Sequence, residues 1–312
     1  MTPSPAIDWT IHVASFSLDS VNHITQGTRE SSGKGLNVSW ALHRAGISTV
    51  AVFPGGGTNG ELMREELSRA GMPFVRVETH TNVRTNITLV SPGHSTKINE
   101  AGVALSPIQR EHLVDRAVAA SASADTALIC GSLPTGTPND YVRHLVERLA
   151  AVGVDVIVDS SGRPLERALD ARPHLIKPNV HELATLVSRD LRSHGDVVDA
   201  ARIAISRGAV AVLASLGADG AMYVDSDTAL IATARDVPFV NSVGAGDALL
   251  AGYVSETAEA ATRLKNAVLW ASSAVAHEST LFPVRPEFAE RISVHTVDAP
   301  DAILSEPSVR LS

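Results

Sequence analysis

The sequence is poor in several things that would place it outside the soluble globular class. Of its 312 residues only Cys130 is a cysteine, so no internal disulfide can form and a reducing compartment is expected. Positive charge is in the minority, 26 Lys and Arg against 34 Asp and Glu for a net charge of −8. That leaves no basic footprint for a nucleic acid. No charge-free apolar run approaches the length of a membrane helix, and the opening MTPSPAIDWTIHV has neither the basic start nor the apolar core of a signal peptide. A cytoplasmic protein with no membrane or nucleic-acid partner is expected. Its twelve histidines fall at no metal-ligand spacing, and HELAT (181–185) lacks the second histidine of a zincin helix. Aromatics amount to only 4%.

What the chain does have is 44% hydrophobic and 19% charged residues, dominated by Ala, Val, Leu and Gly. This composition suits short buried strands alternating with Ala-rich helices. From about residue 105 the alternation is regular. Helices are predicted over 107–120, 138–151 (with Thr137 as N-cap), 164–170, 180–188 and 197–207, and strands over 126–130, 154–159, 174–177 and 209–215. Such a succession implies a parallel sheet with right-handed crossovers. The first hundred residues differ. Segments 9–16, 84–90 and 95–100 alternate apolar with polar residues, as strands wet on one face do, and they read as a small separate sheet. Helices at 37–45 and 61–70 flank a strand at 48–53. Helices are predicted again at 244–255 and 262–277, followed by a tail with one short helix and a polar end.

Four glycine-bearing segments carry the functional signal. GGGTNG (55–60) fits a dinucleotide fingerprint, with Glu78 near the place of a ribose-binding acid, but no second buried βα unit follows it, and a tight turn beside another ligand fits as well. SSGKGLN (31–37) is not a Walker loop, because Gly35 and no hydroxyl residue follows Lys34. Its glycines allow close backbone approach to a ligand, or form a flexible turn. NSVGAGDALLAG (241–252) places Gly244 and Gly246 where a helix begins. Free N–H groups and the helix dipole there suit developing negative charge, and Asp247 is either aimed at that charge or simply a favourable first-turn acid. SLGADGAMYV (215–224) reads as a turn from one strand into the next.

Taken in order, these segments resemble the PfkB family of carbohydrate kinases, which have the ribokinase-like fold. The resemblance runs through SPAID (4–8), GKGLN (33–37), GGGTNGE (55–61), VRTN (83–86), INEAG (98–102), CGSLPTG (130–136), VDSSG (158–162), KPNVHEL (177–183), SLGADGA (215–221) and VGAGD (243–247). GSLP, KPN and the pairing of NEAG with GKG are most similar to the phosphosugar branch, above all the 1-phosphofructokinases, whose ends the tail SEPSVRLS also resembles. The resemblance implies one kinase domain over 1–312, a three-layer α/β/α fold with a mainly parallel central sheet and a small β-sheet lid from about 9–31 and 84–101. It implies ATP-dependent phosphorylation of D-fructose 1-phosphate to fructose 1,6-bisphosphate, with tagatose 6-phosphate or fructose 6-phosphate as the alternative acceptor. A non-catalytic sugar-phosphate sensor is a further alternative.

By the same resemblance Asp247 is the general base, with Gly244, Ala245 and Gly246 as the anion hole. Asp8, Gly33, Lys34, Asn37 and Arg84 line the sugar pocket, and Arg84 meets the phosphate. Arg29 and Lys97 are candidates to add charge there. Lys177, Asn179, Glu182, Ser215, Gly217 and Gly220 serve the nucleotide, and Asn179 and Glu182 hold Mg2+ through water. A homodimer through the lid is implied. Ser242 stands where the family has Thr, and Ser4 and Ser32 replace usual Asn and Gly beside the sugar pocket. Only Met1–Ser4 precede the Asp8 segment, where the family has an apolar strand, so either the start of the sequence is placed late or a neighbouring element compensates. Cys130 is expected to be a packing residue.

Overall fold

The computed structural model describes residues 1–308. Residues 309–312, part of the SEPSVRLS tail, lie outside the described residues. A lid sheet is built from β1 (Ala6–Val13), β2 (Ile24–Ser32), β5 (Arg84–Ser91) and β6 (His94–Asn99) in the order β2-β1-β5-β6. Between its two halves run α1 (Lys34–Arg44), β3 (Ala51–Gly55), α2 (Gly57–Arg69) and β4 (Phe74–Glu78). Then come α3 (Pro107–Ala120), β7 (Thr126–Cys130), α4 (Tyr141–Ala150), β8 (Asp155–Asp159), α5 (Gly162–Ala168), β9 (Leu175–Ile176), α6 (Val180–Val187), β10 (Leu191–Ser193), α7 (His194–Ser206) and β11 (Ala211–Ser215). The chain continues through β12 (Ala221–Val224), β13 (Ala229–Ala234), α8 (Ala245–Val254), α9 (Ala260–Val275), β14 (Ile292–Thr296) and β15 (Ile303–Ser308).

The main sheet runs β14-β13-β12-β11-β9-β8-β7. Strands β7, β8, β9 and β11 are parallel, while β12, β13 and β14 extend it antiparallel. Helices α4 to α7 cover one face around Leu145, Leu183 and Ala201. Helices α1, α8 and α9 cover the other around Val38, Leu250 and Leu264. This is the expected three-layer arrangement. Among the described residues no helix is long and apolar enough to cross a membrane.

Met1 and Thr2 form no strand, but they make backbone bonds on both sides. Cys130 N donates to Met1 O at 3.0 Å, and Thr2 N donates to Val52 O at 2.9 Å. Two residues thus link β7 by backbone bonds to the parallel pair β3–β4, which remains a separate two-stranded sheet. Helix α1 rests directly on this bridge at Gly35, where a Cβ would stand 2.6 Å from Thr2 Oγ1 and 2.7 Å from Met1 O. Gly35→Ala is therefore expected to cost about 1–3 kcal/mol by overpacking, read as a lower urea midpoint at unchanged slope.

Three local expectations are corrected. The helix predicted from 138 starts at Tyr141, because Tyr141 N bonds back to Pro138 O in a preceding turn. Thr137 does not cap it; its buried hydroxyl has no partner. Helix α7 begins earlier than 197, since Ser193 and Asp196 form a capping box. The tail holds strands as well as a 3-10 segment: β14 edges the main sheet and β15 pairs with β10.

Candidate active site at the strand ends

Parallel strands all point one way, so their C-terminal ends converge on one edge, where ligands of open α/β sheets bind. Here that edge collects Asp159 from the end of β8, Lys177 just past β9, Ser215 from the end of β11, and the start of α8. Asp159 is fully buried. Its Oδ1 accepts from Lys34 Nζ at 2.9 Å. Lys177 Nζ stands 3.1 Å from its Oδ2 but off the line of a hydrogen bond, since Oδ2 has no aligned donor. Lys177 is itself buried, and a Cβ on Gly246 would lie 3.5 Å from its ammonium. One carboxylate therefore holds two cations, one of them against the first turn of α8.

Desolvation acts against the charge on Lys34, but Asp159 and Glu182 more than offset it and hold its pKa above the ordinary value. Asp247 is the opposite case. Burial, reinforced by the charge of Asp159, pushes its carboxyl up to about 7. Asn37 donates to Asp247 Oδ2 at 2.8 Å, and Lys177 and Lys34 also oppose the rise. A carboxylate poised there can take a proton near neutral pH.

Gly244 caps α8 at φ +79°, a conformation that favours glycine. Of the three amides predicted to form the anion hole, Ala245 N reaches back to Ser242 O at 3.3 Å. Asn179 and Glu182 form a reciprocal capping box at the start of α6: Asn179 Oδ1 accepts from Glu182 N at 2.8 Å, and Glu182 Oε2 accepts from Asn179 N at 3.0 Å. Glu182 Oε1 stays outside that box, 3.9 Å from Lys34 Nζ. Ser215 bridges to Asn179. Beyond it the Gly217–Asp219 turn closes at Gly220, with Asp219 accepting from Ser305 N and Oγ at 2.7 and 2.6 Å.

Of the residues expected on the sugar side, Asp8 and Arg84 lie on lid strands, while Lys34 and Asn37 lie on α1. In the parallel ladder Ala6 pairs with Arg84 and Asp8 with Asn86, and paired residues share a face. Asn86 Nδ2 donates to Asp8 Oδ1 at 2.9 Å, and Arg84 Nη2 donates to Ser4 O at 3.2 Å. Burial lowers the Arg84 pKa against the pull of Asp8. A cleft bounded by Ser4, Thr79, Asn82 and Arg84 opens beside it. Gly33 joins β2 to α1 at φ +132°, and Ser32 Oγ donates to Asn37 Oδ1 at 3.3 Å. Lys97 pairs with Thr88, two residues along β5 from Asn86 on the same face. Arg29 pairs with Trp9 and stacks over its ring at 4.5 Å, on the face opposite Asp8. It is therefore not a pocket residue.

Sequence reasoning quoted Asp159 and Asn86 within motifs but gave them no role. The available signal for Asp159 was a lone acid ending the apolar run VIVD. Cys130 is fully buried and its thiol is pushed up to about 12 by burial, which fits a packing residue.

The family model for pfkB family carbohydrate kinases matches residues 2–284. The chain belongs to this family. This pfkB kinase is 35% identical to the 1-phosphofructokinase of Haloferax volcanii over 91% of its own length and 92% of that protein. It is 32% identical to the D-tagatose-1-phosphate kinase of Bacillus licheniformis, covering 82% and 84% of the two chains. Among solved structures, phosphofructokinase-2 of Escherichia coli in complex with potassium superposes with a TM-score of 0.87 at 29% identity, covering 93% of this chain and 96% of that one. The protein is a phosphotransferase with an alcohol acceptor, a phosphosugar kinase. Kinases of this family use ATP, generally with Mg2+.

Proposed function

We propose that this protein transfers the γ-phosphoryl group of ATP to O6 of D-fructose 1-phosphate, giving fructose 1,6-bisphosphate. One observation carries the sugar-phosphate part. Arg84 Nε, a donor, and Asn86 Oδ1, an acceptor, are both buried and both without a partner. They lie two residues apart on one face of β5, and the bond to Asp8 dictates which way the Asn86 amide points. Unmet buried groups of this kind are costly, about 1–3 kcal/mol each. A ligand bearing an anion and a hydroxyl satisfies both and also neutralises the half-buried Arg84 charge, whereas a free sugar can pair with both atoms but leaves that charge unmet.

Asp247 takes the proton of the attacking hydroxyl, while Lys34, Lys177 and the first-turn amides of α8 receive the phosphoryl oxygens. Asp8, Gly33 and Asn37 shape the acceptor pocket. Ser215, Gly217 and Gly220 border the nucleotide. Magnesium, when bound with the nucleotide, neutralises phosphate charge. Among the described residues no group of three or more acidic, His or Cys side chains could hold a bare metal. A hydrated ion met by Glu182 Oε1, with Asn179 fixing Glu182, fits this donor set. The open lid edges β2 and β6, with exposed Ile24 and Ile98, support a homodimer through the lid.

The similarity to a D-tagatose-1-phosphate kinase keeps an epimeric ketose phosphate as the second reading. The test is ADP release from ATP and Mg2+ with fructose 1-phosphate, fructose 6-phosphate, tagatose 1-phosphate, tagatose 6-phosphate and free fructose. The highest kcat/KM is expected with fructose 1-phosphate, and preference for another phosphosugar would overturn that substrate. Arg84→Met, losing charged hydrogen bonds worth about 1.5–3 kcal/mol, should raise KM for the phosphosugar on the order of 10–100-fold with kcat less affected. An unchanged KM would remove Arg84 from the phosphate site.

A further inference from the structure

The loop 277–281, which follows α9, touches both halves of the site. On one side it covers the anion-binding turn. A Cβ on Gly244 would stand 3.4 Å from Thr280 Cγ2, and Asn241 Nδ2 donates to Glu278 O at 3.2 Å. On the other side Ser279 Oγ donates to Glu30 Oε1 at 2.8 Å, between residues 249 apart in the chain. Glu30 pairs with Asp8 across β1–β2, and Asp8 pairs with Asn86 across β1–β5. Glu30 thus extends the row that faces the acceptor. The same Ser279 hydroxyl accepts from Leu281 N at 3.1 Å, and Leu281 packs on the core of Ile7, Leu36 and Trp40 at the root of the lid.

We propose that Ser279 and Glu30 are positioning residues that couple the two substrate sites, so that acceptor and nucleotide strengthen each other's binding through loop 277–281. The inference rests on the kinase reading above for which ligand occupies which side. The Glu30–Ser279 bond exists only while β2 sits down on the loop. A sugar phosphate gripping Asp8 and Asn86, the neighbours of Glu30 in that row, favours that arrangement. The same arrangement seats Thr280 against Gly244, where nucleotide phosphates would meet a turn already in place. Two ligands that favour one arrangement must help each other equally in both directions.

Calorimetric titration tests this, with an ATP analogue whose γ-phosphate cannot be transferred and fructose 1-phosphate, each measured alone and with the other saturating. In the wild type each ligand should tighten the other by at least about fivefold. Ser279→Ala and Glu30→Ala should bring that ratio to within about twofold of one, leaving the analogue's affinity in the absence of sugar nearly unchanged. Ser279→Thr, which keeps the hydroxyl, should restore it, an outcome that a merely structural role for the loop does not require. A wild-type ratio of one, or a full ratio in both alanine variants, overturns the coupling. Failure of the kinase reading looks different: the analogue binds while no sugar phosphate binds the wild type, and the coupling falls with it.

Discussion

Asp247→Asn is expected to lower kcat by about 10²–10⁴-fold, the usual worth of a positioned base, and at the same time to stabilise the fold at alkaline pH. The second effect follows from linkage. Burial raises the folded-state pKa of Asp247 from 3.8 to about 7. A raised pKa means that the neutral acid is favoured in the native state. The associated stability is complete below the unfolded value, declines as pH rises, and is gone above about 7. A rise from 3.8 to about 7 corresponds to about 4 kcal/mol at most. Asparagine imitates the neutral acid at every pH, so its advantage should be small near pH 4, grow towards pH 7 and level off beyond. Urea unfolding of both proteins between pH 4 and 8.5 measures this. A stability difference independent of pH would show that Asp247 is not the strained acid described. In the wild type, kcat/KM should rise with pH through an acid limb near 7, because the base must be ionised to accept the proton.

Asp159→Asn should be nearly as damaging by a different route. The amide keeps the shape but removes the charge between Lys34 and Lys177. Lys177 is buried, and breaking a buried pair from one side costs about 3–5 kcal/mol because a charge is left uncompensated. A clear fall in urea midpoint is expected at pH 7.5. Activity should also fall, since both ammonium groups lose the partner that holds them, Lys177 against the first turn of α8. The diagnostic readout is the acid limb of kcat/KM. Asp159 is the second cause of the raised Asp247 pKa, so removing its charge should move that limb to lower pH. A limb that stays in place would separate Asp159 from the base and leave it only a structural anchor.

The two predictions differ in how far the sequence alone could reach them. Asp247 was legible as a first-turn acid beside the amides of GAGD, a local signal, while its role as base was implied only by the family resemblance. The helix Pro107–Ala120 and the strand Thr126–Cys130 were legible to the residue, because a capping box with proline and an uninterrupted apolar run are also local signals. Asp159 was not legible in its role. Its partners lie 125 positions before it in Lys34 and beyond β9 in Lys177, and only the parallel register of β7, β8 and β9 brings those strand ends together.

The same holds on the lid. A strand's side chains alternate faces, so Arg29 could be assigned to the pocket or to Trp9 only once the β1–β2 register was known. Thr137 had the chemistry of a cap but not the geometry, because the chain turns at Pro138 before the helix begins. Met1 and Thr2 are too short to read as a strand and form none, yet folding sets them between Cys130 and Val52, with Met1 hydrogen-bonded to the first and Thr2 to the second. The sequence by itself determined which chemical groups this protein owns and the order of its βα units, since both rest on contacts a few residues long. The tertiary structure decided which groups meet, which carboxylate is forced towards neutrality and which lid residues share the face of Asp8, since burial, register and charge coupling depend on neighbours that only folding supplies.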